Sequence, residues 1–525
     1  MSVSHPTRRP NFVVFCTDQQ RADYLGCAGD PFLRTPAIDS LAARGIRFRN
    51  CYTTYNACMP ARGAMLTGLT HRASGMRSNG VGLPTHIPTV PALLRQAGYR
   101  THAVGKLHLQ PWHDPKSIAI REWENAGQNP ERLSFWEQGD ICQGPRDYYG
   151  FETTELTIGH VSEMQGDYRV WLDRHYPGAV AAYRSDIASD PSKKTAAPSA
   201  WSIQAPPESH YNHWIADRSI AFLNEHKDNA RPFFLWCSFP DPHEPFAALE
   251  AWANLYAPGS ERKNQEPDAL PETLLQARGG RDAFLARWKQ VKEKLPEYLR
   301  QTRGMISHLD FQIGRVLAAL RQTGLESSTT LLFLSDHGDE LGDHGLLHKG
   351  YWPYDGNSRV PFIVAGASVQ EPGRVVDDVV SLLDLAPTLL AAADVQQPDD
   401  PPVNAAYRRQ MGQWLPSLPG ESLLPVLQSA QARPGRRTAL VETDDELNPH
   451  FDLLQMRVLV TNDYKLCHYS PTGEVVVFDR KNDPDERVNL ADNPELQPLI
   501  RTLLAQLLVE INRTEARRPR RFSDA

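Results

Sequence analysis

Short apolar runs alternate with helix-period stretches along much of this chain. Asn11 to Cys16 is a continuous apolar run that suits a buried strand. Thr35-Pro36 then supplies a helix N-cap and a proline at the first helical position, Asp39 lies in the first turn, and Gly45 follows the last periodic residue. A short helix is predicted there. Tyr99 to Val104, Pro232 to Phe239 and Thr329 to Leu334 are short, apolar and rich in β-branched or aromatic residues, so each reads as a further strand. Strands and helices in alternation predict an α/β domain built on a mainly parallel sheet flanked by helices.

The pattern weakens from about 115 to 209, where a Ser/Ala/Pro-rich stretch runs from Pro191 to Pro198, and this region reads as an insertion. A polar, helix-prone segment spans Pro267 to Arg303, and the residues after it up to Leu320 read as a core helix. Around Gln396 to Pro402 and Pro416 to Arg437 the chain is rich in proline, glutamine and glycine, which marks connections. Beyond them Met456 to Thr461, Tyr464 to His468 and Glu474 to Phe478 read as strands, and Leu496 to Ile511 as a helix. The expected organisation is a large domain over 1–400, a connecting segment over 401–437, and a small α+β domain with an antiparallel sheet, one helix and a basic tail over 438–525.

Composition narrows the class. With 525 residues, 41% hydrophobic and 23% charged, the chain is an ordinary globular protein with room for a large core. A formal net charge of -7 argues against nucleic acid as a partner. The one conspicuous basic run, Arg517-Arg518-Pro519-Arg520-Arg521, reads as a solvated end or a subunit contact, so a homo-oligomer is one expectation. No segment has the apolar length of a membrane span, and Arg8-Arg9 precede only a brief apolar run, so no membrane partner and a cytoplasmic location are expected. Seven cysteines without a paired framework or a C-x-x-C spacing fit reduced thiols.

Chemistry concentrates at the strand ends. Asp18 and Gln19 follow the first strand, Lys106 and His108 the one ending at Val104, His243 the one ending near Phe239, and Asp336-His337 the one ending at Leu334. In open α/β sheets ligands bind beyond the carboxyl ends of the strands, so these residues can converge. Asp18, Gln19, Asp336 and His337 form a hard, oxygen-rich ligand set with one imidazole, which suits one divalent ion, Ca²⁺ first with Mn²⁺ as the alternative. Lys106, Lys349 and Arg62 add positive charge suited to a tetrahedral oxyanion, sulfate or phosphate.

The pentapeptide Cys58-Met59-Pro60-Ala61-Arg62 joins this group. If Pro60 opens a helix, Cys58 lies at its amino end and Arg62 one turn on, where the guanidinium reaches position 58. From the residues alone, Cys58 is either a small buried hydrophobe or a thiolate nucleophile lowered in pKa by these charges.

The whole pattern resembles the type I sulfatases of the alkaline-phosphatase superfamily. The likeness runs through Asp18-Gln19-Gln20-Arg21, Thr35 to Asp39, Cys58 to Arg62 with Leu66-Thr67-Gly68, Gly98 to Thr101 leading to Gly105-Lys106-Leu107-His108, and Ser335-Asp336-His337-Gly338 followed by Leu341-Gly342. It reaches the small domain in Phe478-Asp479, Asp483-Pro484, Glu486 and Asn489-Leu490. The resemblance implies an alkaline-phosphatase-like fold and a sulfuric ester hydrolase. It also implies that a formylglycine-generating enzyme converts Cys58 to formylglycine, whose hydrate attacks the sulfur of a small sulfate ester, with the metal and Asp336 activating it. Residue 58 then joins Asp18, Gln19, Asp336 and His337 at the metal. Lys106 and Lys349 hold the sulfate oxygens, and His243 with Lys349 protonates the leaving alcohol. His108 serves as base when the second hydroxyl expels sulfate, and Arg62 supports the hydrate.

Three positions depart from the commonest family pattern. Ala61 replaces a frequent serine, Gln19 stands where many sulfatases have aspartate, and His337 where many have asparagine. The last two resemble phosphonate monoester hydrolases and some bacterial sulfatases, which makes phosphonate monoester or phosphodiester hydrolysis the alternative; Lys106 and His108 match the sulfatase form. A silent sulfated-ligand binding protein is the remote alternative, and it is opposed by the presence of every site residue. Asn79, before Gly80, is a substrate-binding candidate, and Tyr148, Tyr149, His160, Trp352 and Tyr354 are candidate walls of the leaving-group pocket.

Overall fold

The computed structural model describes residues 9–112, 129–137, 146–184, 200–257, 266, 270–395, 418–445 and 449–515. Its spine is the strand Asn11–Thr17, every residue of which is buried. Parallel neighbours flank it on both sides: Thr329–Ser335, with Thr17 opposite Ser335, and Phe233–Ser238, with Cys16 opposite Ser238. The sheet continues in parallel through Arg100–Gly105 to Phe151–Ile158. On the other side Phe362–Gly366 and Gly45–Phe48 add antiparallel pairs. The result is a mixed, mainly parallel sheet, as the alternating pattern predicts.

The side-chain period of two divides the core between the two faces. Phe12, Val14 and Cys16 face a cluster that includes Met65, Leu66 and Leu389, whereas Val13 and Phe15 face one that includes Ile38, Ile215 and Ile313. Within the region expected to be an insertion, the strand Phe151–Ile158 joins the main sheet. Its Thr153 to Leu156 pair with His102 to Gly105 inside the main sheet. The alternation in FETTELTI carried that signal, but the polar residues around it masked it. The Ser/Ala/Pro-rich stretch and the segment 401–417 lie outside the described residues.

The polar segment and the core helix expected after it are one helix, Arg281–Gln322, with Pro296 inside. Its second half packs Leu309, Ile313, Val316 and Leu320 against the sheet. The same helix supplies a cap that the sequence assigned elsewhere. Thr35 makes no side-chain cap to the helix Pro36–Ala43. Its hydroxyl instead donates to Asp39, and Asp310 accepts from the backbone N–H groups of Ala37 and Ile38 at 3.1 and 2.8 Å.

Four antiparallel strands, Ala439–Asp445, Leu454–Val460, Tyr464–Ser470 and Val475–Asp479, make the second sheet. One face carries Leu440, Leu459, Leu466 and Val477 against Ile500, Leu503 and Leu507 of the helix Gln497–Arg513. The other face joins Val441, Met456 and Val458 to Tyr351, Trp352 and Tyr354 of the large domain. Burying both faces fixes the small sheet on the large domain beside Lys349. Among the described residues no helix is long and apolar enough to cross a membrane.

Replacing a side-chain cap by alanine costs about 1–2 kcal/mol. Asp310→Ala is therefore expected to lower the unfolding free energy by that amount, read as a lower urea midpoint at unchanged slope by tryptophan fluorescence. An unchanged midpoint would mean that the two N–H groups are satisfied without Asp310.

Candidate active site

The in-register parallel pairing of Asn11–Thr17 with Thr329–Ser335 brings the next residues, Asp18 and Asp336, together at the same end of the sheet. Both are wholly buried. Asp336 accepts from the Gln19 and His337 N–H groups through one oxygen, at 3.0 and 2.8 Å, and from Arg62 Nε through the other, at 2.7 Å. Three donors fix this carboxylate in place, facing the Cys58 cluster.

Cys58 is the first residue of a wholly buried helix, Cys58–Thr67. The sequence placed it at the amino end of a helix opened by Pro60; the observed start is two residues earlier, at Cys58 itself. Arg62, four residues on, aims its guanidinium back at the carboxylates, with Nη2 at 3.4 Å from Asp18, and its Nη1 donates to the Lys106 carbonyl and Ser238 Oγ. Asn79 Oδ1 accepts from the N–H of Met59 at 3.0 Å, so one role of this asparagine is to cap that helix.

The thiol of Cys58 lies 3.2 Å from His337 Nε2, 3.3 Å from Lys349 Nζ and 3.6 Å from Asp18. Burial opposes its ionisation, but Lys106, Lys349 and His337 outweigh burial and hold its pKa well below the ordinary thiol value. Lys106 donates to Asp18 and lies 3.1 Å from His160 Nε2. Gly105 makes that approach possible. It adopts φ +97°, and a Cβ there would sit 1.8 Å from the Ser238 carbonyl oxygen.

Donor atoms of Asp18, Cys58, Asp336 and His337 all lie within 4.8 Å of one another. His337 Nδ1 is 2.9 Å from the Gly338 carbonyl, which can only accept, so Nδ1 carries the proton and Nε2 faces the cluster. Burial works against positive charge on His337, yet Asp336 and Cys58 push its pKa up to about 9. The cluster therefore favours a cation, and two carboxylates with one imidazole fit a divalent ion. Gln19 is the expected ligand whose amide is already engaged. Nε2 donates to Glu244 and Asp339 at 2.5 and 2.6 Å, and Oε1 accepts from Lys349 at 3.0 Å.

His243 meets Lys349 through Nε2, while its Nδ1 lies 2.6 Å from the Glu244 carbonyl. His160 stacks on it, centroids 3.8 Å apart. That makes His160 a site residue contributed by the region expected to be an insertion. His108 is buried beside Cys58, and burial together with Lys106 lowers its pKa to about 3, so its imidazole is neutral. Glu244, Asp339 and His348 were missed by the sequence reading, although Glu244 directly follows His243 and His348 precedes Lys349.

Other wall candidates separate cleanly. Trp352 and Asn79 line a cleft of about 650 Å³ that opens beside Lys349. Tyr148 is instead bonded to Glu131, Tyr149 to the Leu83 carbonyl, and Tyr354 stacks on His344 in the core between the sheets. Those three hydroxylated rings are structural.

A family model described as Sulfatase matches residues 10–395. The chain belongs to the sulfatase family. It is 28% identical over 519 residues to an arylsulfatase of Clostridium perfringens (strain 13 / Type A), covering 97% of this chain and 95% of the relative. It is 30% identical over 502 residues to the uncharacterized sulfatase YidJ of Escherichia coli (strain K12), covering 93% and 84%. The crystal structure of a phosphonate monoester hydrolase of Agrobacterium radiobacter shares the fold, with a TM-score of 0.73, 22% identity, and coverage of 97% and 100%. The sulfatase thus has the alkaline-phosphatase-like architecture that the motifs implied.

Removing Asp336 takes away one of two buried carboxylates in the cation cluster and strands Arg62. Asp336→Ala is expected to retain less than about a tenth of the wild-type metal by elemental analysis after equal exposure to Ca²⁺ or Mn²⁺. Full occupancy in a folded variant would remove Asp336 from the ligand set.

Proposed function

We propose that this sulfatase hydrolyses sulfate monoesters at the S–O bond, using Cys58 after its conversion to formylglycine. The observation that carries the reading is the position of Cys58 Sγ. It sits at a helix N-terminus, among Asp18 and His337 on one side and Lys349 on the other. When present, the formylglycine hydrate supplies an oxygen nucleophile, and a divalent ion held by Asp18, Asp336, His337 and residue 58 acidifies it and polarises the sulfate.

The chain's own residues supply the remaining steps. The Lys106 and Lys349 ammonium groups receive the sulfate oxygens where negative charge grows; losing one such contact costs about 2.7–4 kcal/mol in the barrier. His243 holds its Nδ1 proton on the Glu244 carbonyl, so Nε2, shared with Lys349, is the atom that delivers a proton to the leaving oxygen. Neutral His108 accepts a proton when sulfate is released. Arg62 cannot deprotonate and serves to hold Asp18 and Asp336 in place.

Phosphonate monoester hydrolysis is the second reading, and Gln19 and His337 are the residues that favour it. Lys106 and His108 support the sulfate reading. Ca²⁺ is the favoured ion on the oxygen-rich set, Mn²⁺ the alternative.

Peptide mass spectrometry of the segment around Cys58 is expected to show the aldehyde in place of the thiol. 4-Nitrophenyl sulfate should be turned over with a higher kcat/KM than a matched phenylphosphonate ester. Cys58→Ala is expected to lose at least about three orders of magnitude in kcat while keeping its thermal midpoint. Substantial residual turnover in that variant would sink the mechanism, and a reversed substrate ratio would favour the phosphonate reading.

A further inference from the structure

The cleft beside Lys349 has an uneven charge. Besides Lys349 its cations are Arg278, at the end of the helix Glu272–Ala277, and Arg287 on the long helix. Its acids come from the small domain. They are Asp444, held by Arg457 Nη1 at 2.6 Å, and Asp445. No carboxylate pairs with Arg278 or Arg287 among the described residues. Arg287 Nη2 donates to the Arg278 carbonyl at 2.7 Å, which keeps the two arginines together.

Among the described residues, two donors in this wall find no acceptor. One is Nε of Arg278, whose guanidinium lies 5.2 Å from the Trp352 ring centroid; the other is the indole Nε1 of Trp352, a side chain only 2% exposed. Gly350 lets the indole lie where it does, since a Cβ there would come within 2.8 Å of Trp352 Cε2 and 3.1 Å of Nε1. Burial also lowers the pKa of Arg278, with Tyr351 only partly offsetting it, so the charge is desolvated without a counter-ion. A desolvated guanidinium and an orphan N–H on adjacent groups of one wall form a receptor that lacks only its anion.

We propose that this cleft is a subsite for a second anionic oxygen group, a carboxylate or a further sulfate, carried by the alcohol part of the ester and received by Arg278 and Trp352. The proposal rests on the sulfate-ester reading, because Lys349, which lies 3.3 Å from Cys58 Sγ, also lines the cleft and joins the two anion sites. The preferred substrates are then dianionic: one sulfate at the reacting centre and a second negative group on the leaving alcohol. A neutral alcohol leaves the wall unpaired, and a cationic one is repelled by it.

The test compares 3- and 4-carboxyphenyl sulfates, and their sulfonated counterparts, with the matched carboxamides. A charge-assisted contact is expected to raise kcat/KM for the better anionic ester at least about tenfold over its carboxamide. Arg278→Gln should bring that ratio close to one, and Trp352→Phe, which keeps the ring but removes the N–H, should lower it part-way. The carboxylate and sulfonate arms identify which anion the wall prefers. Calorimetric titration with 3- and 4-hydroxybenzoate against the hydroxybenzamides gives the same comparison without turnover. A ratio near one in the unsubstituted protein by both methods, or a ratio that Arg278→Gln leaves unchanged, overturns the subsite. Absence of any sulfate turnover, with hydroxybenzoate still preferred about tenfold and the preference lost in Arg278→Gln, overturns the sulfate reading and keeps the subsite.

Discussion

Two buried carboxylates side by side are the constraint on which this structure turns. Parallel pairing of Asn11–Thr17 with Thr329–Ser335 in register leaves Asp18 and Asp336 no choice but to emerge together. Two like charges about 4 Å apart repel by roughly 4 kcal/mol at an effective dielectric of about 20, and burial adds to the cost. Cations must therefore be built in. Arg62 reaches both carboxylates, Lys106 pairs with Asp18, and His337 is pushed towards protonation by the same field. The helix Cys58–Thr67 follows from this need, because the arginine that bridges the carboxylates carries Cys58 one turn earlier on the same face. The position of the proposed nucleophile and the charge balance are one piece of backbone.

Which parts of this were legible in the sequence depended on whether the signal was local. The main strands end in apolar-to-polar switches, so Asp18, Lys106, His243 and Asp336 could be placed at one end of a sheet from the chain alone. The small domain was readable for the same reason, since its strands alternate and its helix is amphipathic. Residues reached by folding-back were not legible. His160 stacks on His243 only because Phe151–Ile158 extends the main sheet, and a polar-rich strand in a weakly patterned region does not announce that. Asp310 replaces the Thr35 cap from a helix more than two hundred residues away, which no local rule sees. The misplaced wall tyrosines teach the same point: Tyr148, Tyr149 and Tyr354 are aromatic and near site motifs in sequence, yet each spends its ring or hydroxyl on internal partners.

The small domain belongs in the same chain of cause. Its inner face buries Val441, Met456 and Val458 in one cluster with Tyr351 and Trp352, so the wall of the cleft is held by a hydrophobic contact between domains. Buried polar links reinforce it. Lys465 lies 2.5 Å from Asp355 and pairs with Glu486, and Tyr55 donates to the Asp444 carbonyl at 2.7 Å. Breaking such a pair by removing one partner is far more costly than never having it, so these contacts favour one docking position over its neighbours. The cluster around Cys58 is thus made by residues before 350, whereas the cleft proposed for the leaving group is lined both by such residues and by residues 443–445 and 449–450.

That division bears on substrate choice. A sulfate monoester and a phosphonate monoester each carry one negative charge at the reacting centre, so the net charge of Arg62, Lys106, Lys349 and the proposed divalent ion would not discriminate between them. The difference lies in what surrounds the tetrahedral atom. A sulfate ester presents three terminal oxygens, whereas a phosphonate monoester presents two and a carbon substituent. Lys106, held by Asp18 and His160, and Lys349, shared with His243 and Gln19, put charged donors on two sides of the Cys58 thiol. A third terminal oxygen gains from that arrangement, while a carbon substituent in its place offers those donors no acceptor. On this argument the donors around position 58 support the proposed sulfate reading, and under that reading the proposed choice among sulfate esters passes to the wall that Arg278 and Trp352 build.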